Sequence, residues 1–273
     1  MSSSLTSRIW YEFDSNSLET VELSNGQAVI YSRRCPTRDS TPNEDAACIV
    51  EVAECQSVLA VADGVGGGMS GNKASRCVIE QLARACLEGT DDSRQKRAGL
   101  RCQIIDAIET ANDEILSWGV GAATTMTAVE LKDGNFRYFH VGDSGALITS
   151  NRGTIRFSTV GHAPVAQAVA IGMLDSKEAI GHVDQNLITN CVGCSKMRIE
   201  FGIFQPVSIR DTLIIASDGL FDNLTKQEIA DFIRKGSLIE QVNRLVQAAE
   251  SRMEDEAGKP DDLTVICFRK VGK

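Results

Sequence analysis

Apolar runs that stop on an aspartate recur along this chain, and they constrain its fold more than any other feature. Val58-Leu59-Ala60-Val61-Ala62 ends on Asp63-Gly64, residues 136–141 end on Gly142-Asp143-Ser144, and Leu213-Ile214-Ile215-Ala216 ends on Ser217-Asp218-Gly219. A fourth run, Leu263-Thr264-Val265-Ile266, is entered from Asp261-Asp262. A strand buried on both faces reads as a continuous β-branched run, so these segments predict central strands. If the strands lie side by side, the carboxylates at their ends meet. Clustered carboxylates without basic partners repel one another and favour hard cations, meaning magnesium, manganese or calcium rather than zinc. Asp-Gly after a strand also serves as an ordinary turn, since glycine supplies positive φ and aspartate bonds its own backbone. The neighbouring residues carry more. Asp63 opens Asp-Gly-Val-Gly-Gly-Gly, which lets backbone approach a ligand closely, and Asn43-Glu44-Asp45 places two more acids just before a strand at 48–52.

The surrounding pattern is mainly antiparallel. Residues 21–31 read as a hairpin about Asn25-Gly26, and 124–131 with 136–141 as a second about Asp133-Gly134. A third, 146–149 with 154–158, turns at Asn151-Arg152-Gly153. Further strands are predicted at 57–62, 187–189, 199–204, 212–216 and 263–268. Helical spacing predicts helices at 72–87, 100–118, 225–235 and 238–254, and Thr225 with Glu228 forms a capping box. Residues 90–97 read as a polar loop, and 162–184 as a short mixed segment with helical hints at 164–171 and 176–180. Strict strand–helix alternation is absent, which argues against a doubly wound parallel sheet. The expected class is α+β, with antiparallel sheets and segregated helices in one domain spanning 1–273.

Net charge is −9, from 37 acids against 28 bases, which disfavours a general nucleic-acid binder. The first ten residues lack a basic-then-apolar signal pattern, and no apolar stretch approaches bilayer length. With no secretion signal, nine cysteines read as reduced thiols of a cytoplasmic protein. Cys191-Val192-Gly193-Cys194 lacks the second ligand pair a zinc site needs, and free cysteines usually behave as small hydrophobes.

Taken in order, Asn43-Glu44-Asp45-Ala46, Ala62-Asp63-Gly64-Val65-Gly66-Gly67, Ala123-Thr124-Thr125, Val141-Gly142-Asp143-Ser144, Ser217-Asp218-Gly219-Leu220-Phe221-Asp222 and Asp261-Asp262-Leu263-Thr264 resemble the metal-dependent protein phosphatases of type 2C over about residues 27–269. The resemblance implies a four-layer α-β-β-α sandwich with two central antiparallel sheets. It implies that two divalent metals, manganese or magnesium, share a bridging water that attacks the phosphorus of phosphoserine or phosphothreonine without a phosphoenzyme. A metal lowers the pKa of bound water, and paired ions offset phosphoryl charge, so the chemistry is coherent. By the same resemblance, Asp63 bridges both metals, Gly64 gives a carbonyl oxygen, and Asp218 and Asp261 hold the first metal. Glu44 serves the second metal, Asp45 supports its water shell, and Asp143 holds a weaker third. Asp262 stands where the family often has Asn and is expected to support its neighbours. Asp222 is expected to start a helix as a cap.

Two departures from the family pattern stand out. Val65 occupies the position of a His proposed elsewhere to protonate the leaving alcohol, as in many bacterial members. An acid, if needed, must then come from metal-bound water or another residue. The three histidines are His140, His162 and His182, of which His140 reads as core or sheet surface and His162 stands where the family often has Asp-His at the start of its flap. Ser40 occupies the position of a phosphate-gripping Arg, which leaves Arg38 or Arg34 for that bidentate role. Residues 162–184 fall where the family inserts its flap, and loops at such positions select substrate. The expected partner is a phosphorylated protein from a Ser/Thr kinase pathway, with no nucleic acid and no membrane. Two narrower readings stay open: a phosphatase dedicated to one regulator, such as an anti-sigma antagonist, and a catalytically silent phosphoprotein-binding scaffold.

Overall fold

A computed structural model of the chain describes residues 7–15, 17–37, 41–65, 70–88, 95–255 and 258–271. The first sheet contains β1 (Ser7–Tyr11), β4 (Asp45–Ala53), β5 (Gln56–Val65), β7 (Met126–Lys132), β8 (Asn135–Val141) and β11 (Glu200–Phe201) in that spatial order. Two short strands join its flanks, β6 (Ala123–Thr124) on β5 and β12 (Gln205–Pro206) on β8. The second sheet runs β10 (Ile155–Ser158), β9 (Gly145–Ser150), β13 (Asp211–Ala216), β14 (Leu263–Lys270), β3 (Gly26–Arg33) and β2 (Glu19–Leu23). Every pairing is antiparallel. Helices α1 (Gly71–Glu88) and α2 (Gln95–Ser117) belong to the first sheet, and α4 (Asp218–Phe221), α5 (Lys226–Phe232) and α6 (Leu238–Met253) to the second. A further helix, α3 (Pro164–Ala170), lies within the segment 162–184.

Strand alternation builds the layers. In β4, Ala46, Cys48 and Val50 pack with Val78, Leu82 and Ile108 of the helices, while Ala47 and Ile49 face the other sheet. In β13, Leu213 and Ile215 face the first sheet, while Ile214 and Ala216 pack against Leu245 and Val246 of α6. Successive side chains point to opposite faces, so a strand covered on both sides is apolar throughout. The result is the α-β-β-α order expected from the sequence. Helix α6 carries its apolar stripe on Val242, Leu245, Val246 and Ala249, and both α5 and α6 begin with complete capping boxes, at Thr225–Glu228 and Ser237–Glu240. The second hairpin turns at Asp133 (φ 49) and Gly134 (φ 78), the paired positive φ values of a tight β-turn.

Several expectations need correction. Residues 187–189 form no strand: Leu187 N–H donates to Asp184 O at 3.1 Å in a turn, and Thr189 N–H to His162 O at 2.7 Å. Of 199–204 only Glu200–Phe201 pairs as a strand. Residues 176–180 form turns, not a helix, because Asp175 ties the chain locally through Lys177 N–H at 2.8 Å. The loop expected at 90–97 lies mostly outside the described residues, and 95–97 are helical, separated from the rest of α2 by Gly99 (φ 74). Strand β1 and the single-turn α4 were not anticipated; each is too short for periodicity to register.

Candidate active site

The acids converge because antiparallel neighbours bring one strand's end beside the next strand's start. Asp45 opens β4 and is the cross-strand partner of Asp63 near the end of β5. Ala216, the last residue of β13, pairs with Val265 of β14, which puts Ser217-Asp218 beside Asp261-Asp262. The two sheets are stitched at this edge. Ser217 Oγ donates to Asp45 Oδ2 at 2.8 Å and accepts from Thr264 N–H at 3.0 Å. Asp262 accepts from Glu44 N–H at 2.7 Å and from Cys35 N–H at 2.6 Å. Asn43 fixes the acid pair beside it: its Oδ1 accepts from Asp45 N–H at 2.9 Å, while its Nδ2 donates to Phe13 O at 2.7 Å and Ser32 Oγ at 3.0 Å.

Asp63 is held by its backbone. Its N–H donates to Thr125 Oγ1 at 3.1 Å, and its carbonyl accepts from Thr125 N–H at 2.8 Å and Thr124 Oγ1 at 2.7 Å. Its carboxyl is thereby left to the cluster. Gly64 N–H donates to Glu44 O at 3.1 Å. A Cβ at Gly64 would lie 2.4 Å from the Gly71 carbonyl carbon, so only glycine lets the start of α1 come this close. Asp143 follows Gly142, whose φ of 102° strongly favours glycine.

Negative charge is in excess here. Burial, then the charges of Asp218, Asp45, Asp261 and Asp143, pushes the Asp63 carboxyl well above its ordinary range. Burial and Asp262 do the same to Asp45, and burial with Asp218 and Asp222 to Asp143. Asp222 is pushed up to about 7 by burial and then by Asp218. For Asp218 burial pushes upward but Lys259 outweighs it, and the carboxyl ends below its usual range. Lys259 Nζ lies 2.6 Å from Asp218 Oδ2, 2.6 Å from Asp222 Oδ2 and 3.3 Å from Asp261 Oδ2.

The donor set suits a hard cation. It is all oxygen, and Asp45 Oδ1 and Asp143 Oδ1 are buried with no hydrogen-bond partner. Among the described residues, no three His, Cys, Asp or Glu side chains stand as a ready-made coordination sphere. The ammonium of Lys259 instead occupies the space between three of the carboxylates.

Other predicted residues fall as follows. Arg34 pairs with Asp14 at 3.6 Å, Arg33 with Glu250 at 2.7 Å, and Arg38 lies outside the described residues. Asp222 is no helix-start cap: it ends α4, its N–H bonds Asp218 O, and its carboxylate accepts from Lys259. The α4 helix starts at Asp218 itself, which leaves Asp222 at its far end. His140 is fully buried, with Nδ1 on Thr127 Oγ1 at 2.9 Å and Nε2 on Val160 O at 3.2 Å; burial lowers its pKa to about 3, so it remains neutral. His162 Nδ1 accepts from Gly142 N–H at 2.9 Å, beside Asp143. Burial pushes the Cys191 thiol up to about 12, and the nine cysteines are free thiols. Lys259 escaped the sequence reading. The signal available was one base, two residues ahead of Asp261 and followed by Pro260, in an otherwise acidic setting.

The sequence profile of the protein phosphatase 2C family matches residues 36–255. The serine/threonine phosphatase stp of Listeria welshimeri is 27% identical over 238 residues, covering 84% of this chain and 90% of that relative. The solved serine/threonine phosphatase of S. agalactiae superposes with a TM-score of 0.72 at 26% identity, covering 97% of this chain and 100% of that one. The catalytic domain of serine/threonine protein phosphatase PstP, solved in complex with two manganese ions, shares the fold at 22% identity and a TM-score of 0.70, covering 98% of this chain and 100% of that one. No helix among the described residues is long and apolar enough to cross a membrane. A family match spanning most of the chain, on a fold and an acid-rich edge of this kind, places the chain in the protein phosphatase 2C family, as an enzyme of the protein serine/threonine phosphatase class.

Proposed function

We propose that residues 1–273 form one catalytic domain, which hydrolyses phosphoserine and phosphothreonine in protein substrates at the acid-rich edge of its two sheets. Asp63, Asp218 and Asp261 would hold manganese or magnesium, with the Gly64 carbonyl, Glu44 and Asp45 completing two sites and Asp143 serving a weaker third. Bound there, the ion pair supplies a water activated near neutral pH and offsets phosphoryl charge. The chain's own part is positioning. Asp262 and Asn43 fix the backbone N–H groups of Glu44 and Asp45, and Ser217 fixes the Asp45 carboxylate. Thr124 and Thr125 fix Asp63. Arg38 or Arg34 would grip the phosphate, and the flap at 162–184 would present the phosphoprotein. We place the enzyme in the cytoplasm, opposite a Ser/Thr kinase, acting on several substrates or on one dedicated regulator.

The observation that carries this reading is the set of buried carboxylates from both sheets, with Asp45 Oδ1 and Asp143 Oδ1 unpartnered. The test is hydrolysis of a chromogenic phosphate ester and a phosphothreonine peptide with manganese, with magnesium and with chelator. Turnover that is lost in chelator and restored by manganese is expected. No turnover on either substrate would overturn the reading in favour of a silent phosphoprotein-binding scaffold.

A further inference from the structure

Resting on the reading above, we propose that Lys259 is a resident counter-cation of the acid cluster. It competes with divalent ions for Asp218 and Asp261 and so weakens their binding. The ammonium lies 2.6 Å from Asp218, 2.6 Å from Asp222 and 3.3 Å from Asp261. Two of these three carboxylates are the ones assigned to the first metal. A lysine and a divalent ion within a few ångströms of the same oxygens repel each other, and in this half-dry setting the repulsion is weakly screened.

The placement of Lys259 is built into the backbone. Its N–H donates to Asn223 Oδ1 at 2.9 Å, and its carbonyl accepts from Asn223 Nδ2 at 2.9 Å. Asn223 is fully buried and is itself tied to Gly219 O at 3.0 Å, one residue past Asp218. Pro260 follows, with φ fixed by its ring. The peptide that carries the lysine is therefore locked to the α4 turn that carries Asp218 and Asp222, and the four-carbon stem delivers its charge to that cluster. An ordinary surface lysine would be free of such ties and would keep its charge in water. Metal loading at this edge is then an exchange of one cation for another, and metal-free protein keeps a counter-charge for carboxylates that would otherwise repel.

The experiment is manganese binding by calorimetry, with thermal melting in chelator, on wild type, Lys259→Met, Lys259→Gln and Lys259→Arg. Both neutral variants should bind manganese at least about 10-fold more tightly than wild type, because one competing charge is gone. Both should also melt at lower temperature in chelator and gain more from added manganese. Lys259→Arg keeps the charge and should stay close to wild type in affinity. Unchanged or weaker manganese binding by Lys259→Met and Lys259→Gln would overturn the proposal and leave Lys259 a structural ion-pair partner. Equal tightening in Lys259→Arg would overturn it too. Wild type that neither binds manganese nor hydrolyses phosphate esters would remove the proposed function; wild type that does both, with variants of unchanged affinity, removes only the role of Lys259.

Discussion

The acid-bearing edge of the sheets and the segment 162–184 beside it, the proposed flap, are built in opposite ways. At the edge, each carboxylate sits on a strand or turn pinned across the chain: Asp45 through Ser217, Asp63 through Thr124 and Thr125, Glu44 through Asp262. The flap touches the body through a few bonds. His162 N–H donates to Gly142 O at 2.7 Å, and Gln185 Nε2 to Asp222 O at 3.0 Å. Val165 packs inward, but several of the segment's large apolar side chains face outward, with Ile171 71%, Met173 78% and Val183 88% exposed. Between flap and body lies a cavity of about 300 Å³ lined by Val165, Val169, Ile180, Phe221 and Leu224. On the proposed function the difference is a division of labour: long-range registers fix the groups that would act on phosphate, and a lightly tethered segment would select what reaches them.

The comparison breaks most sharply at Asp63. Asp63→Asn should lower turnover of a phosphate ester by at least ~10³-fold, since it removes the carboxylate shared between the proposed metal sites. The same change relieves repulsion from Asp218, Asp45 and Asp261, so its melting temperature in chelator should rise. Retained activity would remove Asp63 from the centre. Ser217→Ala comes next. The hydroxyl is fully buried and joins the sheets, so its loss should cost about 1–3 kcal/mol in denaturant unfolding. Activity should fall ~10–100-fold, the usual effect of releasing a ligand's supporting partner. A stability loss with full activity would show that Asp45 needs no such support.

How much of this was legible in the sequence follows from the same contrast. Strands 48–52, 57–62, 212–216 and 263–268 announced themselves as largely apolar runs, and the structure extends them by between one and four residues. The acids at their ends were visible because the turn chemistry repeats. Residues 187–189 and 199–204 misled because isolated apolar residues such as Leu187 and Ile203 look like strand signals when they are exposed loop positions. The Ser217 stitch, the Asn43 clamp and the Lys259 bridge join residues between 2 and 172 positions apart, and hydrogen-bond partnership of that kind leaves no periodic trace.

At the seam between the two regions sits His140, its ring 4.6 Å from that of His162. Burial first, and then His162, lowers its pKa to about 3, against 6.5 for the exposed side chain. The unfolded chain therefore takes up a proton below pH 6.5 that the folded chain refuses until about pH 3. The contribution of His140 to stability is full above pH 6.5 and is lost as pH falls through that window, by about 2 kcal/mol at pH 5. The elevated carboxyls at the edge act in the opposite sense, favouring the folded state as pH falls, so the comparison must be made against His140→Gln. Denaturant unfolding at pH 7 and pH 5 should show wild type losing about 2 kcal/mol more than the variant. Equal losses would mean that the ring is protonated in place.

The smallest effect should come from the flap, and it should appear only with a protein-like substrate. Gln185 accepts from Gly181 N–H at 2.9 Å while its amide donates to Asp222 O, so one side chain closes a flap turn and fastens it to the body. Gln185→Ala removes two hydrogen bonds, each worth about 0.5–1.5 kcal/mol net. A chromogenic ester needs only the acid edge, and its turnover should stay within ~2-fold of wild type, while KM for a phosphothreonine peptide should rise ~3–10-fold, since roughly 1.4 kcal/mol is a factor of ten. Arg34→Ala, if Arg34 grips phosphate, should raise KM for both substrates alike, because both carry the same phosphoryl group. A Gln185→Ala enzyme equally impaired on ester and peptide would place Gln185 in the service of the catalytic edge, through Asp222, and would dissolve the separation between the two regions at the point where they touch.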